Sequence, residues 1–165
     1  MGLLGVSGLS HCCDPSGVIM SRNYYSEIHL HITWHTKQSA PMLTPAVETF
    51  VHRWLQKRIV ETPGVYVHEI GGTENHVHLA IAVAPTVGIA DLIGQLKGAS
   101  AHETNQQFGP NGKAIVWQGG YGVVSFGSTN LDWVRAYIRD QRNHHARGTI
   151  QNRLECIADE EITAE

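Results

Sequence analysis

The stretch Ser26–Trp34 alternates strictly between polar and apolar residues. Ile28, Leu30, Ile32 and Trp34 fall on one side, and Glu27, His29, His31 and Thr33 on the other. A period of two marks a strand with one buried face, so the rest of the chain has to supply its cover. Thr44-Pro45 then places an N-cap residue and a proline where a helix begins. Val47, Phe50, Val51, Trp54, Leu55 and Ile59 recur at helical spacing until Pro63-Gly64. Val65–Ile70 reads as a second strand, Gly71-Gly72-Thr73-Glu74-Asn75 as a turn, and His76–Val83 as a third strand completing a hairpin. Ile89, Leu92, Ile93 and Leu96 open a second helix that runs to about Gln107, and Tyr121–Phe126 is a fourth strand. Thr129-x-x-Asp132 resembles a capping box, opening a last helix with Leu131, Val134 and Ile138 on its apolar stripe.

The order β-α-β-β-α-β, followed by α, predicts an α+β, ferredoxin-like (split βαβ) fold: a four-stranded antiparallel sheet with helices on one face, plus a C-terminal helix. In that topology the first and third strands are central neighbours. Their apolar residues (28, 30, 32, 34 and 77, 79, 81, 83) would meet the helices. The opposite face carries His29, His31, His76 and His78, left open for function or for a further helix.

The 165 residues suit one domain with one core. Composition, 42% apolar and 16% charged, is that of a globular chain. No apolar run is long enough to span a bilayer, and no basic segment precedes Leu3-Leu4 as a secretory signal requires. Three cysteines (Cys12, Cys13, Cys156) without a C-x-x-C give neither a disulfide framework nor a zinc clip, which favours a cytoplasmic setting. We expect a poorly ordered extension over 1–21, the folded domain over 22–147 and an acidic tail over 148–165. Net charge is −3, but residues 20–150 hold eleven basic against nine acidic residues. That mild positivity permits a polyanionic partner without predicting one.

His76-Val77-His78 is the most informative triplet. On a strand, residues i and i+2 point the same way about 6.5–7 Å apart, so two imidazoles can meet at one ion. The same pattern describes two surface histidines on a half-exposed strand, and His29-Leu30-His31 repeats it. Tyr137 and Gln141 lie four apart, on one face of a continuous helix, with Tyr137 at the edge of the apolar stripe.

Four stretches together resemble the single-tyrosine HUH transposases, the insertion-sequence and REP-associated tyrosine transposases. They are Asn75-His76-Val77-His78-Leu79, Lys97-Gly98-Ala99-Ser100, Trp117-Gln118-Gly119-Gly120-Tyr121-Gly122-Val123-Val124-Ser125, and Tyr137-Ile138-Arg139-Asp140-Gln141-x-x-His144-His145. The opening strand His31-Ile32-Thr33-Trp34-x-Thr36-Lys37 is similar as well, and the resemblance covers roughly 22–147. It implies a transposase-type single-stranded DNA endonuclease and strand transferase. Tyr137 would be the nucleophile, leaving a 5′-phosphotyrosine and a free 3′-hydroxyl. His76, His78 and Gln141 would hold a divalent metal, Mg²⁺ or Mn²⁺. The implied partner is single-stranded DNA with hairpin ends, bound by a homodimer, with no membrane and no nucleotide cofactor. His29 and His31 would lie close enough to touch DNA or tune the site. Lys97 matches a recurrent lysine without an assigned role.

Two other readings compete. A domesticated, non-catalytic single-stranded nucleic-acid-binding module could share the fold, but the open strand positions are His, Thr and Ala rather than the stacking aromatics of RRM-type sheets. A cupin-like metalloenzyme would use an H-x-H, but cupins are all-β, against the helical patterns at 45–62 and 88–107.

Overall fold

The computed structural model describes residues 25–110 and 112–157. The expectations for residues 1–21, and for the last eight residues of the acidic tail, lie outside the described residues. Four strands, β1 (His29–His35), β2 (Val65–Thr73), β3 (His76–Val83) and β4 (Gly122–Phe126), form one antiparallel sheet in the order β2-β3-β1-β4. The helices α1 (Pro45–Val60) and α2 (Ile89–Phe108) cover one face. This is the α+β ferredoxin-like arrangement that the alternating and helical periods predict.

The core forms where those periods meet. Leu30, Ile32 and Trp34 of β1 and Val77, Leu79, Ile81 and Val83 of β3 pack against Val47, Val51, Leu55 and Ile59 of α1 and Leu92, Ile93 and Leu96 of α2. Removing each such aliphatic side chain from water contributes about 1.5–3 kcal/mol. The second half of α2 is different, because it buries polar side chains. Lys97 Nζ donates to the carbonyls of Gln118, Gly119 and Gly120 at 2.7, 3.0 and 2.8 Å. Trp117 Nε1 donates to Ser100 Oγ at 3.0 Å. Lys97 is therefore no solvated charge; it gathers the loop that leads into β4.

The second face of the sheet is covered too. Three short helices, α3 (Leu131–Arg139), α4 (Gln141–Arg147) and α5 (Asn152–Glu155), lie across it. Val134 and Ile138 of α3 pack on Ala80 of β3, with Phe126 beside them. The small side chain of Ala80 gives α3 its seat.

Three local expectations change. The Gly71-Gly72 pair is not a turn: β2 continues to Thr73, which pairs with His76, so the reversal falls at Glu74-Asn75. Gly71 is instead a point of close approach. A Cβ there would meet the carbonyl of Ile138 and come within 2.8 Å of its Cγ2. The Thr129-x-x-Asp132 capping box does not form, since residues 128–130 make a 3-10 turn and Asn130 takes the N-cap position without a side-chain bond. The last helix is also not continuous. Asp140 leaves helical geometry at φ −99°, ψ 18°, so Tyr137 lies in the last turn of one helix and Gln141 begins the next.

Gly71→Ala is therefore expected to destabilise the fold by about 1–3 kcal/mol, the range for forcing an extra methyl into packed structure. Urea unfolding checks this, with Gly98→Ala as the control. A Cβ at helical Gly98 meets nothing within 4 Å, so that change should stabilise by roughly 0.5–1 kcal/mol. Equal midpoints for Gly71→Ala and the unaltered chain would contradict the close approach.

Candidate active site

The register of β3 against its neighbours places the histidines. His76 lies opposite His35 and His78 opposite Thr33 on β1. Both imidazoles project from the face that α3, α4 and α5 cover, and both are buried. Their ring centroids are 4.8 Å apart.

Hydrogen bonds on the far side of each ring orient it. His76 Nδ1 lies 2.7 Å from Asn75 Oδ1 and 2.9 Å from Thr73 Oγ1. Asn75 Nδ2 donates to the Ser39 carbonyl and Thr73 Oγ1 donates to Asn75 Oδ1, so Oδ1 faces His76 as an acceptor. His76 Nδ1 must then carry the proton, and its Nε2 keeps a free lone pair. His78 Nδ1 lies 2.8 Å from His31 Nε2. His78 Nε2 is buried with no hydrogen-bond partner. Burial, the nearby His78 and, in the opposite sense, Glu155 leave His31 pushed down to about 3. Burial and His78 push His76 down to about 3 as well, so both are neutral imidazoles near neutral pH.

Gln141, at the start of α4, points Oε1 at His76 Nε2 across 3.4 Å, and its Nε2 is buried without a partner. Rotating the amide would give His76 a donor but would leave His78 Nε2 as it is. Tyr137 comes from the end of α3. Its ring sits 6.3 Å from that of His78, stacks on Trp133 at 5.7 Å and lies 4.7 Å from His144. Tyr137, His76, His78 and Gln141 thus come together within one chain.

Local pattern carries no sign of what else is there. Helix α5 folds back so that Glu155 enters the cluster. The Tyr137 hydroxyl donates to Glu155 Oε1, and the Gln151 backbone N–H donates to the Tyr137 oxygen at 3.0 Å. Glu155 Oε2 lies 3.4 Å from His78 Nε2, 3.9 Å from His76 Nε2 and 3.8 Å from His145 Nε2. Tyr137 is consequently 3% exposed, buried rather than at the rim where the helical pattern put it. Burial, and the Glu155 carboxylate beside it, push its phenol up to about 12. Burial opposes ionisation of Glu155, but the His78 contact and charge and the Tyr137 hydroxyl outweigh it and hold the carboxyl at about 2.

Among the described residues, His76, His145 and Glu155 offer ligand atoms that all lie within 4.8 Å of one another. Imidazole nitrogens with free lone pairs, an amide oxygen and a carboxylate are the donors a divalent cation takes. His78 Nε2 is buried, meets no hydrogen-bond criterion and faces the Glu155 carboxylate at 3.4 Å, so the donor set fits a metal. His31 belongs to this cluster through His78. His29 does not: it pairs with His68 at 3.1 Å and stacks on Phe126.

Residues 24–141 match the family described as "Transposase IS200 like". The chain belongs to the IS200-like transposase family. Two solved structures share the fold of this transposase. One is a candidate transposase from Deinococcus radiodurans R1, 24% identical, with a TM-score of 0.58 over 75% of this chain and 98% of that one. The other is a REP-associated tyrosine transposase bound to a REP hairpin, 14% identical, with a TM-score of 0.53 over 81% of this chain and 76% of that one. No curated protein matches the sequence. Among the described residues no helix is long and apolar enough to cross a membrane.

The buried imidazoles make the fold acid-sensitive. His52 on α1 is also pushed down, to about 4, by burial and by Arg142. His31, His52 and His76 have folded values below the ordinary 6.5, so the unfolded chain takes up their protons first as pH falls. Stability should be level above about pH 6.5 and decline from there toward pH 4. Urea midpoints from about pH 7.5 down to 5 check this, and His52→Gln should flatten the decline. A midpoint that does not move with pH would contradict the neutral, buried histidines.

Proposed function

We propose that this transposase cuts and rejoins single-stranded DNA by transesterification through Tyr137. The observation that carries the reading is the meeting of the Tyr137 hydroxyl with the Nε2 atoms of His76 and His78 around one carboxylate, inside a single chain. A group that bridges a phenol and two imidazoles in this way stands where a scissile phosphate would have to sit.

In the proposed reaction the Tyr137 oxygen attacks a phosphodiester phosphorus. A bond forms from that oxygen to phosphorus, the bond to the 3′-oxygen breaks, and the phenol loses its proton. The departing 3′-oxygen gains one to become a 3′-hydroxyl, and the 5′-phosphate stays on Tyr137. Reversal of these steps rejoins a strand. A phenol suits both directions, because it is a better leaving group than an alkoxide and the ester bond is conserved throughout. No nucleotide cofactor is called for.

His76, His78 and Gln141 would hold the divalent cation, Mg²⁺ or Mn²⁺, through two imidazole nitrogens and an amide oxygen. The chemistry such an ion supplies is polarisation of a phosphate oxygen and stabilisation of the charge that develops on it. Asn75, Thr73 and His31 orient the imidazoles from behind. The neutral His76 imidazole and the Gln141 amide take none of the cation's positive charge from the phosphate. Tyr137, raised to about 12 and bonded to Glu155, holds its proton in the arrangement described, so attack follows displacement of Glu155 by the phosphate. One chain supplies the whole set, so a homodimer is not required to complete the site. The REP-associated relative was solved on a REP hairpin, and a hairpin with a single-stranded flank is the partner proposed here.

Tyr137→Phe is expected to abolish the covalent protein–DNA adduct while leaving hairpin binding in place. A denaturing gel with a labelled hairpin oligonucleotide and Mn²⁺ reads the first, and a native shift reads the second. An adduct that persists in Tyr137→Phe would overturn the assignment. Binding without any metal-dependent nicking by the unaltered chain would instead support a non-catalytic module.

A further inference from the structure

Glu155 is not a loose end that happens to reach the site. Leu154 beside it is buried, and Arg153 donates to the Ser125 carbonyl at 3.2 Å. The backbone of Cys156 crosses so closely over Gly122 that a Cβ there would strike its carbonyl oxygen. The segment is docked on β1 and β4, and the Glu155 side chain keeps 12% of its exposure.

We infer that Glu155 is a ligand of the divalent cation in the DNA-free protein, closing with His76 and His78 a site of two imidazoles and one carboxylate. The inference rests on the cation site proposed above and adds a residue to it. A divalent ion about 2.0–2.2 Å from each of its ligands sets neighbouring ligand atoms roughly 3–3.5 Å apart. Glu155 Oε2 stands 3.4 Å from His78 Nε2 and 3.9 Å from His76 Nε2, so one carboxylate oxygen faces both imidazoles near the spacing of ligands on a common ion. An ion pair does not account for the His76 contact. The His76 Nδ1–H is committed to Asn75, so its Nε2 faces the carboxylate as lone pair against lone pair in a buried space. A cation between them removes that conflict. Two imidazoles and a carboxylate, with open positions, suit a transition-series divalent ion such as Mn²⁺ better than Mg²⁺.

Glu155 and the DNA phosphate would take the same coordination position. The carboxylate therefore strengthens metal binding only until DNA arrives, when a phosphate oxygen replaces it.

Mn²⁺ titrations of the full chain, read from the electron paramagnetic resonance signal of free Mn²⁺, test this without any activity measurement. The unaltered chain, Glu155→Gln, Glu155→Ala and the double variant His76→Ala/His78→Ala are compared, each with a melting curve to show that it folds. Without DNA, both Glu155 variants should bind Mn²⁺ at least about 10-fold more weakly, the scale on which losing a coordinating group or its support acts. With a saturating hairpin oligonucleotide the difference from the unaltered chain should close. If the Glu155 variants bind Mn²⁺ as the unaltered chain does while the double histidine variant does not, Glu155 is only the acceptor for Tyr137 and the inference fails. If the double histidine variant also binds normally, the cation site proposed for His76 and His78 fails with it.

Discussion

The pairing of β1 with β3 at the centre of the sheet is the constraint on which the rest depends. It sends Val77, Leu79, Ile81 and Val83 into the core and leaves His76, His78 and Ala80 on the other side. A slip of one residue would drive the imidazoles into the apolar layer and expose the aliphatic row. Burial of that row therefore fixes the spacing of the two histidines as firmly as any contact they make. The same register brings His31 within reach of His78 and sets His35 against His76 at 5.0 Å. Ala80, next in the row, is small enough to admit α3, and Gly71 lets β2 meet the same helix. The packing that stabilises the fold thereby delivers Tyr137 to the histidines.

Wherever periodicity reports burial, the sequence was readable. Ile28–Trp34 and Val77–Val83 alternate because one side of each strand meets α1 and α2, and Val47, Val51, Leu55 and Ile59 recur because one stripe of α1 does. The pairing of His76 with His78 followed from strand geometry alone, and Tyr137 and Gln141 came through the resemblance. What local pattern hid was set by partners distant in the chain. Gly71-Gly72 carries the composition of a turn, yet serves the approach of Ile138. Tyr137 and Gln141 keep a helical spacing across the break at Asp140, because two short helices can present them as one would. Lys97 looks like a surface charge until three carbonyls from residues 118–120 surround it. Glu155 sits in an acidic tail whose composition suggests solvation, and its role comes from docking next to Gly122 and Ser125.

The site balances two opposed electrostatic demands. A neutral imidazole and an amide keep their lone pairs for a cation, and burial holds His76 and His31 below the ordinary histidine range. A buried phenol meanwhile becomes harder to ionise, and here it is tied to a carboxylate. The resting arrangement is thus suited to storing the proposed nucleophile rather than firing it, and a phosphate that displaces Glu155 would change both conditions at once. On the proposed reading, that ordering would keep Tyr137 protonated until its substrate is in place.

Peptide mapping of the covalent product addresses the central claim most directly. The chain is incubated with Mn²⁺ and a hairpin oligonucleotide whose 5′ segment, released with a free 3′-hydroxyl, diffuses away, then digested with trypsin and analysed by mass spectrometry. The account predicts a nucleotide-phosphate mass on the Ala136–Arg139 peptide, localised to the Tyr137 oxygen. The same mass on any other residue, or a nicked oligonucleotide with no protein-bound phosphate, would contradict it.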